Sequence, residues 1–281
     1  MAMVSVDFMS ACLMRNITVN AIVPFDKLEF PKAPVREKKP FKTLILLHGI
    51  FGNCNDWICN TRIRLWAEEK NLAVIMPSGE NHFYVDCKAN GERFGEFIGK
   101  ELPTKMRELF HLSDKREDTF IAGLSMGGYG AIINGLKYHD TFGYIAGLSS
   151  GLILDSITNP SEKNLASMIF GDSFITTVFG NPDEIKGSDK DYKALILKLK
   201  EQNAPIPKIY LCCGLDDDLL GANRDYVNFL KENGVDYTYE EGPGGHDWTF
   251  WDAYIKKVLD WLPLEDGRQG IHSGNINNQH D

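Results

Sequence analysis

Five apolar runs of strand length punctuate the chain: "KTLILLHG" at 42–49, "LAVIMPSG" at 72–79, "TFIAGLS" at 119–125, "YIAGLSS" at 144–150 and "KIYLCCG" at 208–214. Helical patterns separate them. Strands that are apolar on both faces are what a parallel sheet covered by helices requires. "VDYTYEEG" at 235–242 alternates more and reads as a last strand nearer the sheet edge. Near the start, "MVSVDFMSACLMRNITVNAIVP" reads as two antiparallel strands, from which the Pro-rich, basic "FPKAPVREKKP" leads into the first buried strand. The final helix is the plainest element. Trp251, Tyr254, Ile255, Val258, Leu259 and Leu262 form one apolar stripe at helical spacing, so it packs on the sheet.

The stretch from Ser150 to Pro207 carries Gly, Pro and Asn punctuation and the helical "KDYKALILKLKEQN". Inserted after a mid-sheet strand, residues 151–206 read as a cap or lid over the sheet's carboxyl edge rather than as an independent domain. The expected plan is one α/β domain over 1–264, followed by a disordered tail at 265–281 with almost no apolar residues.

Composition narrows the function. With 281 residues, 43% hydrophobic and 11% aromatic, the chain can bury a substantial core. The formal charge is −9, and no basic cluster exceeds Arg36 to Lys39, which argues against a nucleic-acid partner. No apolar run reaches the roughly 20 residues that span a bilayer. The N-terminus carries Asp7 where a signal peptide needs a basic start and an unbroken apolar stretch, so a cytoplasmic protein is expected. Cys12, Cys54, Cys59, Cys87, Cys212 and Cys213 show no C-x-x-C spacing. That suits free thiols better than disulfides or zinc.

"TFIAGLSMGGYGAIING" sets Gly123, Ser125 and Gly127 as G-x-S-x-G at a strand-to-helix junction, the setting of a nucleophile elbow. A Gly-rich turn whose serine only caps the helix would give the same letters. No lysine follows the glycines, against a phosphate-binding loop. A nucleophilic serine needs a base, and in the order serine, acid, histidine that base comes late. "EGPGGHDWTFW" supplies His246 between the last strand and the last helix. Of the others, His272 and His280 lie in the tail, His111 and His139 follow helical patterns, His82 is in a mid-chain loop and His48 closes the first buried strand. Position favours His246. An oxyanion hole would take one N–H from Met126 and a second from "LLHGIFGNCNDW", with Ile50 the first choice and Phe51 the second. The acid belongs in "CGLDDDLL", where the residues alone leave Asp216, Asp217 and Asp218 open.

With these elements in this order, the chain resembles the esterase D, S-formylglutathione hydrolase and tributyrin esterase branch of the α/β-hydrolases. That branch includes acetyl and feruloyl carbohydrate esterases. The resemblance is carried by "LLHGIFGNCNDW", "MPSGENHFYVDCKANGERFGEFIGKELP", "AGLSMGGYGA", "CGLDDDLL" and "GGHDWTFWD" and covers most of residues 1–263. It implies an α/β-hydrolase fold: a mostly parallel central sheet, helices on both faces and an N-terminal antiparallel strand pair. It implies Ser125 as nucleophile, His246 as base and Ile50 with Met126 as oxyanion donors. The family's acid stands three residues after the glycine that ends the strand, which from Gly214 is Asp217, with Asp216 the runner-up. Asp218 falls where the family has an apolar residue. The "GENHFYVD" loop matches a part lining the substrate cleft, which makes Tyr84 a candidate substrate contact.

The activity so implied is hydrolysis of short-chain acyl esters, tributyrin-type or of acetylated or feruloylated sugars, through a Ser-His-Asp triad with no metal or organic cofactor. S-formylglutathione hydrolysis and acyl transfer are the alternatives, ahead of a non-catalytic binding scaffold. Beyond a small-molecule ester no partner is implied, although self-association is common in the family.

Overall fold

In a computed structural model, which describes residues 1–27, 39–158 and 171–265, eight strands form one sheet. The strands are β1 (Ala2–Ser10), β2 (Arg15–Val23), β3 (Thr43–Leu47), β4 (Ala73–Pro77), β5 (Thr119–Leu124), β6 (Tyr144–Leu148), β7 (Lys208–Gly214) and β8 (Tyr237–Gly242). Their order is β1-β2-β4-β3-β5-β6-β7-β8. From β4 to β8 every neighbouring pair is parallel, whereas β1 pairs with β2, and β2 with β4, antiparallel. Every run read as a strand is one, and "VDYTYEEG" does lie at an edge. The expected tail beyond Glu265, the Pro-rich loop up to Lys38 and residues 159–170 of the insertion fall outside the described residues.

The sheet is apolar on both faces because each carries its own core. Ile45 and Leu47 of β3 join Ile75, Ile121 and Ile145 in the cluster beneath the helix Met126–Lys137. Leu44 and Leu46 join Val74, Phe120 and Ala146 in the cluster on the other face. There the stripe of the last helix, Trp248–Trp261, is buried as its spacing predicts. Its N-cap is Asp247, whose Oδ1 accepts the Phe250 N–H at 3.0 Å.

Within 151–206, the helix Tyr192–Glu201 starts from Asp191, whose side chain accepts the N–H groups of Lys193 and Ala194. Its buried Tyr192, Leu195, Ile196 and Leu199 belong to the same core as the helix Met126–Lys137, against which it packs. Among the described residues no helix is long and apolar enough to cross a membrane.

Candidate active site

Ser125 stands between β5 and the helix Met126–Lys137 with φ 52° and ψ −119°, a conformation unfavourable for any residue with a side chain. The helix lies tight against β3 after this turn, which Gly127 allows by having no side chain: a Cβ there would stand 2.5 Å from the Leu47 carbonyl oxygen. Ser125 makes no side-chain capping bond, so the alternative of a mere helix cap does not apply. Its hydroxyl donates to His246 Nε2 at 2.9 Å.

His246 Nδ1 lies 2.9 Å from Asp217 Oδ2. A carboxylate only accepts, so Nδ1 carries the proton and Nε2 is left to accept from serine. Two loops from different strand ends meet here by backbone contact. Leu215 and Asp216 donate their N–H groups to the carbonyls of Gly242 and Gly244, and a Cβ on Gly214 would fall 2.2 Å from the Gly244 oxygen. That contact fixes the register of the three aspartates. Asp217 turns inward and is buried, while Asp216 and Asp218 face solvent.

Burial alone would raise the Asp217 pKa. Hydrogen bonds from His246 (2.9 Å) and the Leu219 N–H (2.8 Å) outweigh it, with the neighbouring Ser149 hydroxyl acting in the same direction, and hold the carboxyl below the usual range. Asp217 is therefore a carboxylate at neutral pH, the form that a partner for an imidazolium would need.

The loop after β3 passes beside the serine, since a Cβ on Gly49 would stand 3.5 Å from Ser125 Cβ. Sequence reasoning read His48 only as the end of a strand, but it orders this loop. Its ring is buried, Nε2 accepts the Gly79 N–H at 2.8 Å, and Nδ1 therefore donates to the Gly49 carbonyl at 2.6 Å. Burial lowers the His48 pKa and favours the neutral ring this pattern needs. Gly49 C=O and Ile50 N–H belong to one trans peptide and point oppositely, so tying the carbonyl to His48 aims the N–H away from it. No acceptor for the Ile50 N–H occurs among the described residues.

The Phe51 N–H, the second choice for an oxyanion donor, is committed elsewhere: it donates to Asn81 Oδ1 at 2.9 Å. Of the two, Ile50 is the one whose N–H is left without an acceptor among the described residues. Met126 is the first residue of its helix, so its N–H has no intrahelical acceptor. No single local feature marks His48 or Asn81 for these roles in the sequence; the H-G pair at the strand end is the nearest signal.

Tyr84 requires a correction. Its side chain is fully buried, its ring fills the space over Gly79 and Gly130, and its hydroxyl donates to the His48 carbonyl at 3.0 Å. A group with no exposed surface cannot contact substrate, so Tyr84 supports the loop from beneath. No group of His, Cys, Asp and Glu among the described residues could hold a metal ion.

A family model described as "Putative esterase" matches residues 10–262. An acetyl esterase of Caldicellulosiruptor saccharolyticus is 46% identical over 262 residues, covering 93% of this chain and 98% of that one. FphF of Staphylococcus aureus, a fluorophosphonate-binding serine hydrolase solved with substrate bound, superposes with a TM-score of 0.80 at 31% identity, over 93% of this chain and 98% of its own. The S-formylglutathione hydrolase FrmB of the same organism, solved as apoenzyme, gives 0.78 at 32% identity over the same shares.

Proposed function

The chain belongs to the esterase family of α/β-hydrolases and is a serine carboxylesterase, and from that premise we propose that it hydrolyses short-chain acyl esters, acetyl esters foremost, with Ser125, His246 and Asp217 as its triad. The observation that carries the triad is the unbroken chain Ser125 Oγ to His246 Nε2 and His246 Nδ1 to Asp217 Oδ2, each step 2.9 Å. The acyl preference is supported by the acetyl esterase at 46% identity.

His246 takes the Ser125 proton as Oγ bonds to the ester carbonyl carbon. The carbonyl oxygen becomes an oxyanion facing the N–H groups of Ile50 and Met126, whose alignment before reaction is what makes such donors effective. Imidazolium then protonates the leaving alcohol as the C–O bond breaks. Water repeats the sequence on the acyl-enzyme: it loses a proton to His246, attacks the acyl carbon and releases the acid as Ser125 recovers its proton. Asp217 holds the ring in the Nδ1–H tautomer and stabilises its charged form without taking a proton.

The likeness to FrmB favours one second reading, a thioesterase acting on S-formylglutathione with the same three residues. Values of kcat/KM for p-nitrophenyl acetate, butyrate and octanoate and for S-formylglutathione distinguish the two. Acetate is expected to be best, and a preference for the thioester would replace the ester reading. Ser125→Ala should lower kcat on p-nitrophenyl acetate by about 10⁶-fold, as in a triad acting as a unit. Activity near that of the wild type would remove Ser125 from the mechanism.

A further inference from the structure

Trp251 lies on the apolar stripe that packs the last helix against the sheet, yet both ends of its indole meet polar groups of the active site. Nε1–H donates to Ser149 Oγ at 3.2 Å, and the ring meets the His246 imidazole perpendicularly, with centroids 4.9 Å apart at 89°. Ser149 directly follows β6, is completely buried and has φ 45°, in the left-handed region that disfavours a side chain. Its own N–H is tied to the Cys212 carbonyl at 2.8 Å, which holds the residue in that conformation.

The Ser149 hydroxyl accepts from Trp251 and so keeps its proton to give. The acceptors beside it are the Asp217 carboxylate and the Cys213 thiol, of which the carboxylate is the stronger. Asp217 is already bound at Oδ1 by the Leu219 N–H and at Oδ2 by His246 Nδ1–H. Its side chain is wholly buried, so water cannot replace a donor that is removed.

We propose that Ser149 and Trp251 are positioning residues that set the acid and the base of the triad against each other, Ser149 by a third hydrogen bond to Asp217 and Trp251 by anchoring Ser149 at one end and His246 at the other. The inference rests on the triad reading above. One side chain, fixed in the core by its helix, thereby limits both the rotation of the carboxyl and the tilt of the imidazole. Neither residue touches substrate, so their loss should act on the chemical step and leave ground-state binding alone.

The test compares Ser149→Ala, Trp251→Phe and the double variant, all full length, on p-nitrophenyl acetate. Each single change should lower kcat by about tenfold, the scale of one hydrogen bond to a charged group, with KM within about twofold of wild type. Trp251→Phe keeps an aromatic face but no N–H. The double variant should be hardly worse than the worse single one, because both cut the same connection. A structural role alone would not move the low-field proton resonance of His246 Nδ1–H, which should shift in Ser149→Ala although Trp251 is intact. Wild-type kcat in Ser149→Ala, or additive losses with an unmoved resonance, would overturn the proposal. Ser125→Ala in parallel separates the two levels: if it is inactive while Ser149→Ala matches wild type, only the relay fails, and if it is active, the triad reading fails first.

Discussion

Replacing Tyr84 by phenylalanine removes one oxygen atom and leaves the ring where it is. In the native protein that oxygen is completely buried and donates to the His48 carbonyl at 3.0 Å, beneath the loop carrying Ile50. Its burial pushes the phenol pKa well up, so the hydroxyl is a neutral donor at any physiological pH. Without it a buried carbonyl loses this donor, in a place too closed for water to take over. Leaving a buried acceptor unsatisfied costs about 1–3 kcal/mol. In a chain of this size each kcal/mol moves the melting temperature by roughly 2–4 °C, so Tyr84→Phe should melt about 2–12 °C lower. Because the side chain reaches no substrate, KM for p-nitrophenyl acetate should stay within about twofold of wild type. Calorimetry and steady-state kinetics on the same preparation check both halves. An unchanged melting temperature with a severalfold higher KM would refute the burial argument and return Tyr84 to the substrate cleft.

Asp217→Asn should reduce kcat by about 10⁴-fold by favouring the wrong histidine tautomer, whereas Asp216→Asn, on an exposed side chain, should leave it unchanged. A loss confined to Asp216→Asn in the same kinetic assay would move the acid by one residue. Asp217 also predicts a pH dependence of stability. The folded protein holds this carboxyl below its ordinary range, so it binds the proton less readily than the unfolded chain does. The stabilisation is then complete above the unfolded pKa of about 4 and is lost as pH falls through the folded value. In urea titrations the advantage of wild type over Asp217→Asn should stay level above about pH 5 and shrink as the pH falls below about 4. A constant difference would contradict it.

The strands were legible because a parallel sheet covered on both faces needs unbroken apolar runs, and few other arrangements produce them. Ser125 and His246 were legible for a related reason: each sits at the junction of a run and a helix, where position along the chain restricts position in space. The acid was harder. Three aspartates in a row are chemically alike, and what turns Asp217 inward to His246 is a backbone contact between Gly214 and Gly244, made by two loops that only the sheet brings together. Family likeness supplied the register that local chemistry could not. The choice of Ile50 over Phe51 likewise depends on Asn81, which reaches in from the loop after β4. Tyr84 misled because a tyrosine in a loop near the cleft looks accessible. Its burial is imposed by Gly79 and Gly130, whose lack of side chains makes the space its ring occupies. Trp251 was legible as core and illegible as anything else, since helical spacing says which face a residue is on and not what its N–H will meet.

The central claim is that Ser125 is the atom-bonding nucleophile, activated by His246 and stabilised by the N–H groups of Ile50 and Met126. A crystal structure of the protein after reaction with a p-nitrophenyl alkylphosphonate tests it most directly. The account predicts a covalent bond from Ser125 Oγ to phosphorus, with the phosphoryl oxygen within about 3 Å of both backbone nitrogens. Phosphorus bound to any other residue, or a phosphoryl oxygen turned away from those two N–H groups, would contradict it.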